Sequence, residues 1–447
     1  MRLWRGIWLR WGWSFKMGMK QTEIGEIPED WQISDLKSVT TLIQNGLFFE
    51  PKRKGKGIPL INVGDMYKSS PIAVEELDLF DANSTEKNIY KVKDGDLLFT
   101  RSSIVPSGIA FCNVYFEDSK NIDVVFDSHL IKATPKSELV DSKYLYLNCT
   151  SKVARNYFVS VSKSAIMTTI DQQGIRNCPV LLPPRQEQKN ISTVLADTDN
   201  LIQATEQLIT KKQLIKTATM QNLLTGKIRL AEFDTKKTKP SELGDIPSDW
   251  DIVKLGDFGQ STGGTSIESE FSKNGDYKVI SIGSYSENSK YTDQGIRATN
   301  SSKVSSKILN KNDLTMILND KTSTGNIIGR VLLIDKDNTY VYNQRTQRIE
   351  VYADKYLPQY IYFLLNSPFR QNIVKSAQGG TQIYVNWSGI KELKYPIPPI
   401  LEQIKINEIL SNMDEELDYL YQKLEKLKYI KQGLMQNLLT GKIRLTE

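Results

Sequence analysis

The chain has 447 residues, 39% of them apolar and 25% charged, enough for about three domains that each bury a core. A net charge of +6 and a pI near 8.8 suit a polyanionic partner without demanding one. Cys112, Cys149 and Cys178 have neither paired nor ligand-like spacing and His129 stands alone, which argues against a metal site or a disulfide framework and for buried, reduced thiols in a cytoplasmic protein.

Residues 1–22 open with Trp4, Trp8, Trp11 and Trp13 among Arg2, Arg5 and Arg10. An interfacial membrane anchor is one reading of such a run. The preferred reading is a disordered or spurious extension, since there is no signal-peptide cleavage site and Met17 or Met19 offers another start. No later stretch approaches the ~18 apolar residues of a membrane span.

Residues 23–184 read as a first domain, opening with EIGEIPEDW up to Trp31. Apolar runs at 58–63, 96–100, 124–126 and 130–133, each bounded by Gly, Asn, Asp or Ser, predict short strands, and 142–157 predicts one or two helices. Residues 185–230 read as a long central helix. It starts after Pro183 and Pro184 with Glu187 and Gln188, and ends in MQNLLTGKIRL at 220–230. Its stripe, Ile191, Leu195, Thr198, Ile202, Thr205 and Ile209, is continued by Lys212 and Lys216, and Val194, Leu201, Leu208 and Ile215 add a second row.

Residues 231–399 repeat the plan as a linker and a second domain. ELGDIPSDW ends at Trp250, strands are predicted at 277–282, 314–318, 329–334 and 348–352, and helix at 355–376. Residues 400–447 form the second long helix, opened by Pro398, Pro399, Glu402 and Gln403 and closed by MQNLLTGKIRL at 435–445. Ile406, Leu410, Met413, Leu417, Leu420, Leu424, Leu427 and Leu434 keep one face apolar in steps of four and three, and only Lys431 interrupts.

The chain is therefore a duplication: two α+β domains separated by two long helices, with matching ends and diverged middles. About forty helical residues make a rod of roughly 60 Å, too long for an ordinary globular helix, so each helix is the other's natural partner. The short linker after Gly226 favours an antiparallel coiled coil with pseudo-twofold symmetry. On architecture alone, such an object is either a reader of a two-part duplex DNA target or a duplicated coiled-coil scaffold without a nucleic-acid role.

The repeated openings at Ile27, Pro28 and Trp31 and at Ile246, Pro247 and Trp250 carry a family resemblance, together with the Pro-Pro-x-x-Glu-Gln helix starts, Gly263-Gly264-Thr265 and the twin Leu-Leu-Thr-Gly-Lys ends. In their duplicated order they resemble the specificity subunit of type I restriction-modification systems, over all but the N-terminal extension. The resemblance implies two target-recognition domains, each reading one half of an asymmetric bipartite site in double-stranded DNA. It implies helices that space the domains and dock two methyltransferase subunits, with restriction subunits joining. S-adenosylmethionine, ATP and Mg would belong to those partners and no cofactor to this chain.

Catalytic motifs are missing, in keeping with a non-enzyme. The Pro-Pro pairs open helices instead of forming an Asn/Asp-Pro-Pro-aromatic loop, and no phosphate-cradling Gly-x4-Gly-Lys-Ser/Thr is present. Asp30 with Asp35 and Lys37 only faintly echoes a nuclease cluster.

Candidate DNA contacts are polar loop residues able to reach base edges or phosphates. In the first domain these are Lys52, Arg53, Lys54 and Lys56, expected to grip phosphates, with Arg101, Ser102, Ser103 and Lys163. In the second they are Lys321, Thr322, Ser323, Gln344, Arg345, Gln347, Gln382 and Tyr384. The lysine-rich run has no expected counterpart in the second domain, whose Gly263-Gly264-Thr265 falls at about that place, while the first domain has Val39-Thr40-Thr41 nearby.

Overall fold

Glu187 and Glu402 explain why the same sequence signals occur twice. In the computed structural model, which describes residues 18–48, 50–117, 122–164, 167–321 and 323–446, each glutamate gathers three of the repeated motifs at one buried point. Glu187 accepts from the Trp31 indole Nε1 at 3.1 Å and from Arg444 Nε at 2.7 Å, while Asp30 takes both Arg444 Nη atoms at 2.9 and 2.8 Å. Glu402 does the same with Trp250 Nε1 at 3.0 Å and Arg229 Nε at 3.0 Å, and Asp249 takes the Arg229 Nη atoms at 3.0 and 2.9 Å. Asp30 is thus the partner of an arginine.

The neighbouring glutamines repeat as well. Gln188 donates to Pro183 O and accepts from Asp141 N, both at 2.9 Å, and Gln403 donates to Pro398 O and accepts from Leu357 N, both at 2.9 Å. Gly226 and Gly441 close the joints with φ of +72° and +70°, where a Cβ would also meet Pro247 at 2.6 Å and Pro28 at 2.4 Å. Glycine is therefore required twice over at each helix end.

The chain divides into two units, Met1–Thr205 with Lys423–Glu447, and Glu206–Gln422. The division runs through both helices, not at their ends as the sequence boundaries had it, because the helix ends belong to the domain cores. Ile191, Leu195, Leu434 and Leu438 pack in the core of Phe99 and Tyr144, and Met220, Leu223, Ile406 and Leu410 in that of Phe258 and Tyr360.

In the first unit a four-stranded antiparallel sheet runs in the order Thr40–Asn45, Leu130–Pro135, Leu97–Thr100, Cys112–Val114. Beside it, Lys54–Ile61 pairs parallel with Val125–Phe126 and antiparallel with Asp78–Phe80. The second unit has the same plan: Gly259–Gly263, Thr346–Val351, Leu314–Ile317, Val331–Leu333, with Tyr277–Ile280 between Tyr340–Tyr342, parallel, and Arg297–Ala298, antiparallel. Every strand expected from the sequence is present. The edge strands at Thr40–Asn45 and Gly259–Gly263 had no apolar run to announce them. The helical stretches each hold two helices, of the one or two expected, separated at Ser151, which is extended and caps Lys152–Val161, and around Pro368.

Met19–Thr22 forms a hairpin with Gly25–Pro28, and Lys20 Nζ donates to Glu29 O at 2.8 Å and Trp31 O at 2.6 Å. The expected extension of residues 1–22 is corrected to that degree; residues 1–17 lie outside the described residues. Among the described residues no helix is long and apolar enough to cross a membrane.

The long helices, Arg185–Leu223 and Ile400–Leu438, have 39 residues each. Ile191, Leu195, Ile209, Ile406, Leu410, Leu417, Leu420, Leu424, Leu427 and Leu434 are buried, and Ile202 and Met413 half-buried. Thr198 and Thr205 enter this apolar face by donating their hydroxyls to the carbonyls of Val194 and Leu201 at 2.8 and 2.7 Å. The lysines that interrupt the stripes meet acids on the other helix. Lys431 pairs with Asp199 at 2.5 Å in the first unit, and Lys212 with Glu416 at 2.8 Å and Lys216 with Asp414 at 2.5 Å in the second. In the second unit the partner number falls as the first helix's number rises, so the helix segments there run antiparallel.

Candidate nucleic-acid interface

One end of each central sheet gathers the polar loops. In the second unit Gly264 lies so close to the turn after Tyr340–Tyr342 that a Cβ would meet Asn343 O at 1.7 Å. Thr265 bridges to Asn343, whose Oδ1 accepts from Arg345 N at 3.3 Å, and Arg345 O accepts from Leu318 N at 2.9 Å. Leu318 O in turn accepts from Val385 N at 2.9 Å, leading into the small pair Asn319–Asp320 and Ile383–Tyr384. Backbone contacts thus chain the Gly-Gly-Thr segment, the 343–345 turn and the strands Asn319–Asp320 and Ile383–Tyr384 into one surface.

The first unit builds the same chain from different residues. Gly46 stands where Gly264 does, its would-be Cβ meeting Phe126 O at 2.2 Å and Asp127 O at 2.3 Å, and Leu47 bridges to Asp127. Asp127 Oδ1 accepts from His129 N at 2.8 Å, His129 O from Arg101 N at 2.9 Å, and Arg101 O from Ile170 N at 3.0 Å. Thr169 then lies opposite Ser102, and Thr168 opposite Ser103.

This corrects the alignment expected from sequence. The counterpart of Gly263-Gly264-Thr265 is Asn45-Gly46-Leu47, not the Val39-Thr40-Thr41 or lysine-rich stretches. One glycine at a backbone contact is all that the geometry preserves, and a lone Gly46 is too weak a signal to find by eye. His129 was missed for a related reason. It occupies the place of Arg345, is 65% exposed, and is oriented by Asp127 Oδ1 at 2.6 Å from its Nδ1, but a single histidine carries no pattern.

The predicted contacts divide accordingly. Arg101, Ser102, Ser103 and Lys163 come together at the first unit's loop end, Lys163 on a strand that extends the Ser102–Ser103 sheet and within 3.4 Å of Asp171. Arg101 donates to Ser128 O at 3.2 Å. Lys321, Gln344, Arg345, Gln382 and Tyr384 gather at the second unit's loop end, with Ser323 exposed nearby; Thr322 lies outside the described residues. Gln347 is a correction. At 5% exposure it is buried in the central sheet opposite Met316, because side chains alternate along Thr346–Val351.

The cluster at 52–56 is also changed by the structure. Arg53 grips Glu86 with both Nη atoms, donates from Nε to Asp81 O at 3.0 Å and stacks over Phe80 at 4.6 Å. The Arg53 hydrogen bond holds the Glu86 carboxyl below its ordinary range. Lys54 meets Asp78 at 2.7 Å and Lys56 meets Asp81 at 3.0 Å. Arg53 is a structural fastener; Lys54 and Lys56 are half-neutralised, and Lys52 is exposed without an ion pair among the described residues.

The described residues hold no group of His, Cys, Asp and Glu placed to bind a metal ion. Two copies of one antiparallel-sheet domain with divergent loop ends, joined through long helices, define a duplicated binding module. The family model described as the type I restriction modification DNA specificity domain matches residues 28–213 and 247–429, and the chain belongs to that family. The MjaVIII specificity subunit of Methanocaldococcus jannaschii is 29% identical over 326 residues, 72% of this chain and 75% of that one. The S subunit structure from M. genitalium shares the fold at a TM-score of 0.54 and 14% identity, covering 91% of this chain and 96% of that one. A chain from a structure concerned with assembly and conformational transition of the type I system gives 0.56 at 13% identity, covering 93% and 99%.

Proposed function

We propose that the two units read the two halves of an asymmetric, bipartite double-stranded DNA target for a type I restriction-modification complex. The carrying observation is the strand-by-strand duplication that ends in two loop surfaces of different composition. The same frame presenting Arg101, Ser102 and His129 in one unit and Asn319, Lys321 and Arg345 in the other suits two different half-sites. In this reading the long helices form an antiparallel coiled-coil spacer in a pseudo-twofold arrangement. They dock two methyltransferase subunits, and restriction subunits join to make the nuclease. Leu208, Leu214, Ile215 and Tyr419, exposed in the second unit's helix segments, supply apolar surface for that docking. The chain itself is non-catalytic and acts in the cytoplasm, with S-adenosylmethionine, ATP and Mg held by its partners. A pure scaffold has no use for divergent polar loop ends on a repeated frame.

Exchanging the segment from Trp250 to Pro398 for that of a relative tests the reading. Methylome sequencing of the exchange strain is expected to show one half of the methylated motif changed and the other intact. Simultaneous change of both halves, or of neither, refutes two independent readers.

A further inference from the structure

The two loop ends differ in polarity at matched positions. Phe48, Ile104 and Met167 of the first unit are 76%, 86% and 44% exposed. Continuing the bridge of Leu47 to Asp127 and that of Thr265 to Asn343 by one residue sets Phe48 against Ser266. The register of Thr168 opposite Ser103 puts Met167 across from Ile104, and that of Ile383 opposite Asp320 puts Gln382 across from Lys321. Apolar side chains in one unit thus replace a hydroxyl, an ammonium and an amide in the other. A single exposed apolar residue is ordinary, but three at one loop end with polar counterparts need a reason.

The tip is held in advance. Arg155 reaches from behind to the carbonyls of Ser107, Ile109 and Ala110 at 2.9, 2.5 and 2.8 Å, and Ser103 Oγ accepts from Val105 N at 3.3 Å. Ile104 therefore projects from a fastened base with a β-branched, stiff side chain, and Met167, with its adaptable thioether, stands across from it when the register is continued by one residue.

Resting on the reading that this loop end faces duplex DNA, we propose that the first unit recognises thymine C5-methyl groups in the major groove through Ile104 and Met167, with Phe48 beside them. The second unit reads its half-site by hydrogen bonds from Lys321, Gln382 and Arg345. The thymine methyl is the apolar feature of the major-groove edge, and burying it against an aliphatic side chain separates a T·A pair from a C·G pair at the same position. Ser102 and Ser103 supply hydroxyls for adjacent base edges, and Lys163 supplies charge toward the backbone.

The test uses the full chain with its methyltransferase subunits and a duplex carrying the methylome-defined target, with each half assigned by the domain exchange above. Thymines of one half at a time are replaced by deoxyuridine, which removes only the methyl. Affinity is expected to fall roughly fourfold per methyl in the first unit's half, and Ile104→Ala or Met167→Ala should abolish that uracil sensitivity. Both side chains are exposed, so folding is preserved, and undiminished discrimination in the other half verifies it. A first half-site without thymine, equal affinity for the two bases, or uracil sensitivity that survives both substitutions overturns the proposal. So does dependence on Ile104 without dependence on the methyl, the signature of a wedge between base steps. Absence of any methylated target would instead sink the DNA-reading assignment on which the proposal rests.

Discussion

Arg444 and Arg229 have the most to lose by substitution. Each is a nearly buried guanidinium whose partners, Glu187 with Asp30 and Glu402 with Asp249, would be left uncompensated. Arg444→Ala is expected to destabilise the first unit by about 3–5 kcal/mol, and Arg229→Ala the second by a similar amount, read by denaturant unfolding. A change below about 1 kcal/mol would show that the joints do not hold the domains. Arg53→Ala should likewise lower the stability of the first unit. Lys52→Ala should leave stability alone and weaken DNA binding evenly across sequences, with a shallower salt dependence. The tyrosines give a pH dependence. Burial pushes the Tyr340 and Tyr342 phenols from 10 up to about 12. A folded-state pKa above the unfolded value means stability is intact below pH 10 and lost as pH climbs from 10 through 12. Alkaline unfolding of the second unit is expected in that window, with Tyr342→Phe moving its midpoint upward; a flat stability profile there would contradict the assignment. From sequence alone, Trp31, Glu187 and Arg444 were visible as members of repeated motifs. That they meet was not, because periodicity and turn chemistry report local structure and this contact spans 257 residues.

The helices were the most legible elements, since apolar residues kept in steps of four and three through several heptads line up on one face only if the backbone is helical throughout. Lys431 was read as an interruption, and Lys212 and Lys216 as members of the stripe, because the acids that receive them, Asp199, Glu416 and Asp414, lie on a different segment. The proposed spacer role predicts a length effect. Inserting seven residues after Thr205 and seven after Gln422 keeps both stripes in phase and adds about 10 Å. The gap between half-sites should grow by about three base pairs, given a rise of roughly 3.4 Å per pair. A folded variant whose complex with methyltransferase subunits still methylates the original spacing would remove the helices from any ruler function. Strands announced by apolar runs were equally plain. The polar edge strand Gly259–Gly263 was not, and with it went the true partner of Gly264, because that glycine answers to a carbonyl across the fold and not to its neighbours in sequence.

At the scale of the molecule, the duplication was legible as soon as the two MQNLLTGKIRL copies were seen, whereas the pairing of the diverged middles needed coordinates. The division into units also has a temporal consequence. The second unit is one continuous stretch, Glu206–Gln422, but the first is assembled from Met1–Thr205 and Lys423–Glu447. Its core includes Leu434, Leu438, Leu439 and Leu445, and its joint requires Arg444. On the ribosome, the unit whose synthesis begins first must therefore wait for the last segment to emerge, while the later one can close as soon as residue 422 clears the exit tunnel. Nascent chains stalled beyond that point should show protease-resistant residues 206–422 alongside a first domain that is still cleavable, and release of the whole chain should protect both. Equal early resistance of the first domain would mean that its core closes without the borrowed helix end.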